Sequence, residues 1–133
     1  MKDLKAKDIM IRPVVSARKN ASARDITLQI LSGLYSGMPV TDENGHVIGV
    51  VTEFDLLGQL AEGKELTKLT AEDVMQKEPK TVDVNTPLND VLKVMLENFI
   101  IRVPVTEKKR LVGVIARCDI LKIYIEPEFA TYM

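Results

Sequence analysis

The stretch Leu4-Lys5-Ala6-Lys7-Asp8-Ile9-Met10 returns as Leu69-Thr70-Ala71-Glu72-Asp73-Val74-Met75, displaced by 65 positions. Either copy alone reads as a short helical turn; the pair marks a duplication, and a duplication decides the architecture. Working outward, Met38-Pro39-Val40-Thr41 returns as Val103-Pro104-Val105-Thr106 at the same displacement of 65. Gly49-Val50-Val51-Thr52-Glu53-Phe54-Asp55-Leu56-Leu57 returns as Gly113-Val114-Ile115-Ala116-Arg117-Cys118-Asp119-Ile120-Leu121, displaced by 64. The lost residue falls between Thr41 and Gly49, where Asp42-Glu43-Asn44-Gly45 reads as a hairpin turn that can absorb a deletion.

Each copy then has one pattern. A helical turn ends at Met10 or Met75, and an extended stretch follows Pro13 or Pro79 (Val14-Val15, Thr81-Val82). An amphipathic helix comes next. In the second copy Leu88, Val91, Leu92, Met95 and Phe99 recur at helical spacing behind Thr86 as cap and Pro87 in the first turn. In the first copy Ile26, Ile30, Leu31 and Leu34 share the matching face, with Asn20 or Ser22 as cap. Two apolar strands joined by a polar turn follow, Met38–Val40 with Val47–Val51 and Val103–Val105 with Leu111–Ile115, and a last helix opens near Thr52 or Ala116. The fold class is therefore α/β (α+β), two βαββα repeats. A repeat of about 60 residues has too thin a core to stand alone. The two are expected to pack sheet to sheet about a pseudo-twofold axis. The expected boundaries are 4–60 and 69–124, with a polar linker at 61–68 and an apolar, aromatic tail at 125–133.

Composition excludes several functions. The chain has 133 residues, 18 Lys plus Arg against 19 Asp plus Glu, one His and one Cys. A net charge of −1 gives no footprint for nucleic acid or an anionic membrane. His46 and Cys118 cannot supply the roughly four ligands of a structural zinc, so no metal is expected. Lone Cys118 forms no internal disulfide, which fits the cytoplasm. No apolar run approaches the roughly 20 residues of a membrane span, and the charged N-terminus does not resemble a signal peptide.

The repeat resembles the cystathionine β-synthase (CBS) domain, and two in tandem resemble a stand-alone CBS pair, or Bateman module. The Asp-apolar-Met start, the apolar-Pro-Val strand and the Gly-apolar-apolar-Thr-x-x-Asp helix entry carry the resemblance, from Leu4 to about Tyr124. It implies an adenosine-bearing ligand (AMP, ADP, ATP or S-adenosylmethionine) in clefts between the repeats. The chemistry agrees: a helix N-terminus presents free N–H groups and positive dipole, and a short carboxylate one turn in can accept both ribose hydroxyls. Carried over by position, the first site takes Thr52, Asp55 and Met38, with Lys77, Lys80 and Thr81 from the second repeat. The second takes Asp119 and Arg102, walled by Ile11–Val15 with Arg12, Pro13 and Val14, Arg12 as an extra cation. Ala116 replaces the family hydroxyl in the second site, and Gly37 stands in the first where Arg102 stands in the second. Each site keeps part of the pattern: the first has the intact ribose chemistry and the second the phosphate contact, and the residues do not rank them further.

The same residues have plainer readings. Thr52-x-x-Asp55 is also a helix capping box, which is compatible with ligand binding. Arg102, Lys77 and Lys80 also fit solvated surface residues. His46 reads as an exposed turn residue, Cys118 as a partly buried inert thiol, and Gly33 as a helix stop rather than part of a phosphate loop. Three functions compete. The first is a non-catalytic adenine-nucleotide sensor that modulates a partner protein. The second is a ligand-free dimerisation or interaction module, suggested by the tail; a homodimer is expected in either case. An enzyme is the least supported, since no nucleophile has an evident base.

Overall fold

The computed structural model describes residues 3–33 and 35–125, so Leu34 and the tail from 126 onward lie outside the described residues. The chain forms two compact units, and their boundaries cross the sequence repeats. One unit is Val15–Pro79; among the described residues the other joins 3–14 to 80–125.

In the Val15–Pro79 unit, strand β1 (Ala17–Arg18) runs parallel to β2 (Gly37–Thr41), which pairs antiparallel with β3 (Val47–Thr52), and β4 (Gln76–Lys77) closes the far edge. Helices α2 (Ala23–Gly33) and α3 (Glu53–Ala61) cover the sheet, and α4 (Ala71–Val74) precedes β4. The core unites Ala17, Ala23, Ile26, Ile30, Met38, Val40, Val51, Leu56, Ala71 and Val74. The 61–68 stretch is not slack: it holds a 3-10 turn, Leu66–Lys68, and Leu66 packs against that core.

The other unit repeats this plan. Strand β5 (Val82–Asp83) lies parallel to β6 (Arg102–Glu107), which pairs antiparallel with β7 (Arg110–Ala116). Its helices are α5 (Leu88–Glu97) and α6 (Arg117–Ile125), with α1 (Ala6–Ile9) contributed by the N-terminal arm. At the place of β4 a single bridge joins Ile11 to Val114 through N–H···O bonds of 2.8 and 3.1 Å. Ala6 is fully buried in the core with Val82, Leu88, Val91, Met95, Val103, Val105 and Ile115.

The Asp-x-Met segments are thus exchanged, each serving the sheet of the other repeat. Ala6 donates its N–H to Thr86 O and Lys7 to Val84 O, while Leu88 donates to Leu4 O. In the other unit Ala71 donates to Ala21 O, Glu72 to Lys19 O, and Ala23 to Leu69 O. Every partner in one set maps onto its counterpart by the 65-residue displacement. The methionine that ends each segment fills a notch left by glycine. A Cβ at Gly113 would stand 2.5 Å from Met10 Sδ, and one at Gly49 would collide with Met75 Sδ and lie 2.9 Å from Gln76 O.

Several sequence expectations need correction. The first strand is Ala17–Arg18 rather than Val14-Val15, because the pairing Ala17 to Val40 copies Val82 to Val105. Thr86 does not cap α5: its hydroxyl accepts the Asp83 N–H at 2.9 Å. Phe99 is 93% exposed and adopts a positive φ of 53°, ending the helix instead of extending its buried face. Leu31 is exposed as well, whereas Ile26 and Ile30 are buried as expected. Ser22, of the two candidates, caps α2, accepting the Arg24 N–H. The hairpin turns account for the missing residue. In the first, Asp42 Oδ1 accepts the N–H groups of Asn44 and His46 and Gly45 has φ 80°; the second is a two-residue turn at Lys108 and Lys109 with φ 51° and 69°.

Candidate functional site

The two ends of interest are where β3 enters α3 and where β7 enters α6. At the first, Thr52 is the N-cap and Asp55 the third helical residue. The Thr52 N–H donates to Asp55 Oδ2 at 2.7 Å, the Thr52 hydroxyl donates to the same oxygen at 2.9 Å, and the Asp55 N–H returns a bond to Thr52 Oγ1 at 3.3 Å. The capping box is fully made. The other carboxylate oxygen, Oδ1, accepts from Gln76 Nε2 at 3.1 Å. Gln76 reaches it because β4 pairs with β3, setting Gln76 opposite Val50.

At the second end, Ala116 is the residue before α6. Its N–H donates to Asp119 Oδ2 at 2.7 Å, and it has no hydroxyl to give or accept a bond. Arg102 opens β6 directly opposite Ala116, and the Arg117 N–H is taken by Ile101 O at 3.1 Å. Backbone register therefore brings Arg102, a half-buried carboxylate and a helix N-terminus to one strand end. The matching position of the first end, Gly37, lies opposite Thr52, and a Cβ there would stand 2.6 Å from Val51 O. Backbone fills the space that the arginine would need to leave the strand.

The remaining sequence candidates divide between the units. Thr52, Asp55, Met38 and Lys77 lie in the Val15–Pro79 unit, with Lys77 exposed and Met38 buried in the core. Lys80 and Thr81 belong to the other unit, as do Arg102, Asp119, Arg12, Pro13 and Val14. Arg12 and Pro13 are exposed, directly after Ile11. Cys118 is exposed rather than partly buried, since the second residue of α6 faces away from the side that buries Ile120. His46 is half-buried, its Nδ1 standing 3.8 Å from Asp42 Oδ2. Among the described residues no three His, Cys, Asp or Glu side chains gather as a metal site, and no helix is long and apolar enough to cross a membrane.

Gln76 was not among the sequence candidates. The signal was its place directly after the second Asp-x-Met block, where the first block is followed by apolar Ile11.

The family model for the CBS domain matches this chain twice, over residues 6–62 and 71–126. The chain belongs to the CBS-domain family. As a CBS pair it matches a solved structure of a CBS domain pair in complex with 5′-methylthioadenosine and S-adenosyl-L-methionine. The identity is 27%, 92% of this chain and 97% of the other are covered, and the TM-score is 0.80. Hypoxic Response Protein I, solved with two coordinated zinc ions, is 26% identical, with 89% and 97% covered and a TM-score of 0.82. Among curated proteins, the L-aspartate semialdehyde sulfurtransferase of Methanocaldococcus jannaschii is 28% identical over 119 residues, 89% of this chain but 23% of that enzyme. This CBS pair spans between 23% and 64% of the length of the curated relatives it matches first.

Proposed function

We propose that this CBS pair is a non-catalytic regulatory module that binds an adenosine-bearing ligand and modulates a partner protein in the cytoplasm. The observation that carries the reading is the strand end at which Arg102, the α6 N-terminus and Asp119 meet. There Arg102 opposite Ala116 meets a phosphate, the open turn of α6 adds its dipole, and the Asp119 carboxylate accepts ribose hydroxyls. The solved CBS pair holding two adenosyl compounds supports the same ligand class. Thr52 with Asp55 forms the second candidate end; Lys77 in its own unit, and Lys80, Thr81, Arg12, Pro13 and Val14 in the other unit, are further proposed ligand residues.

A thermal-shift series with AMP, ADP, ATP and S-adenosylmethionine at millimolar concentration tests the proposal. A ligand that binds only the folded chain at a hundredfold excess over its dissociation constant stabilises it by about 2.7 kcal/mol. Melting curves unmoved by all four compounds refute the reading.

A second reading, homodimerisation, is favoured by a separate observation. Both units expose leucine at matched positions, Leu31 with Leu96 and Leu57 with Leu121, at 64, 71, 59 and 64%. Apolar helix positions exposed alike on both units suit burial against a second copy.

A further inference from the structure

The two candidate carboxylates are built alike but are not equally open. Gln76 and Ile11 are equivalent by sequence displacement and by backbone, since Gln76 pairs with Val50 and Ile11 bridges Val114. Their side chains differ in the one property that matters here. Gln76 carries an amide donor and extends it to Asp55, at 3.1 Å from Oδ1 and 3.4 Å from Oδ2. Ile11 has no donor, and it is half exposed beside its strand.

A carboxylate has about four lone-pair sites. Asp55 commits three of them, to the Thr52 N–H, the Thr52 hydroxyl and the Gln76 amide. Asp119 commits one among the described residues, to the Ala116 N–H. A ribose presents two adjacent hydroxyls and needs two acceptors. Asp119 has them ready, whereas Asp55 must first release Gln76. Gln76 is exposed, so water can take its amide once it lets go, and the latch is reversible.

We infer that Gln76 is an internal competitor for the ribose-binding carboxylate Asp55, and that the adenosine ligand therefore fills the Asp119 end first. This inference rests on the proposed ligand class. It makes the duplicated module a graded binder with one ready site and one latched site, instead of two equal ones. Closing the latched site by an intramolecular hydrogen bond lowers its apparent affinity by the fraction of time the bond is made.

Calorimetric titration of the full chain with AMP and with S-adenosylmethionine, in wild type and four variants, decides the matter. Wild type is expected to bind one equivalent tightly and a second about tenfold more weakly. Gln76→Leu is expected to strengthen the weak site about tenfold and leave the tight one unchanged. Ile11→Gln, which places a donor at the open end, is expected to weaken the tight site by a similar factor. Asp119→Ala should remove the tight site and Asp55→Ala the weak one. Two equal wild-type sites, a tight site lost in Asp55→Ala but kept in Asp119→Ala, or a Gln76→Leu titration identical to wild type would each overturn the latch while leaving the ligand class standing. Absence of heat and of thermal stabilisation with both ligands, in wild type and every variant, would instead overturn the ligand class.

Discussion

At the scale of single residues, both units set a methionine into a glycine notch. Met10 lies where a Gly113 side chain would be, and Met75 where a Gly49 side chain would be. Neither glycine is demanded by backbone conformation; each is demanded by the thioether it admits. Gly113→Ala is expected to destabilise the protein by about 1–3 kcal/mol through overpacking. Met10→Ala in the same chain should recover part of that loss, because the added methyl then occupies vacated space. Urea denaturation of the single and double variants checks this. A Gly113→Ala chain as stable as wild type would contradict the notch. The sequence displayed both halves of the contact, Asp-x-Met and Gly-Val, as repeated blocks. It did not display that they touch, because similarity reveals which residues are equivalent and not which copy supplies the partner.

At the scale of elements, one capping device recurs. Asp8, Asp55, Asp73 and Asp119 each accept the N–H of the residue that precedes their helix, at 2.7 to 2.8 Å. Short helices such as α1 and α4 have few internal bonds, so satisfying terminal N–H groups is a large part of their stability. At α4, bonds from the Thr70 N–H and hydroxyl hold the Asp73 carboxyl below its ordinary value. A depressed carboxyl contributes stability above its unfolded value and loses it as pH falls through the folded one. Asp73→Ala is therefore expected to be less stable than wild type at neutral pH, with the gap narrowing in acid. A gap that stays constant from pH 7 into the acid range would contradict the cap. The Thr52-x-x-Asp55 box was legible in the sequence because its two partners are three residues apart. Thr86 misled for the same reason of proximity: its hydroxyl had a nearer customer in the Asp83 N–H. Gln76 and Asp55 are 21 residues apart, and only the β3–β4 pairing brings them together.

At the scale of the whole molecule, duplication made the strand order and helix positions readable, and it also set the surface. Exposed Leu57 and Leu121 stand at matched places on α3 and α6. Light scattering is expected to give the mass of a dimer for wild type and of a monomer for the Leu57→Glu, Leu121→Glu double variant, with unchanged far-UV circular dichroism. A monomeric wild type, or a dimeric double variant, would exclude these leucines from the interface. The repeats themselves were plain in the sequence, but the crossing of the chain between units was not. Residues 15–79 form one compact unit in sequence order, whereas the arm before them completes a unit whose other part begins at Lys80.

That exchange has a consequence for how the chain emerges during synthesis. The arm ending at Val14 is made before 15–79, yet Ala6 and Met10 have no seat until β7 and Gly113 have been translated, about a hundred residues later. The interval belongs to 15–79, which holds its own sheet, its own Asp-x-Met segment and its own glycine notch. Residues made ahead of the 15–79 unit are therefore seated after it, so the duplication separated the order in which these segments are made from the order in which they settle.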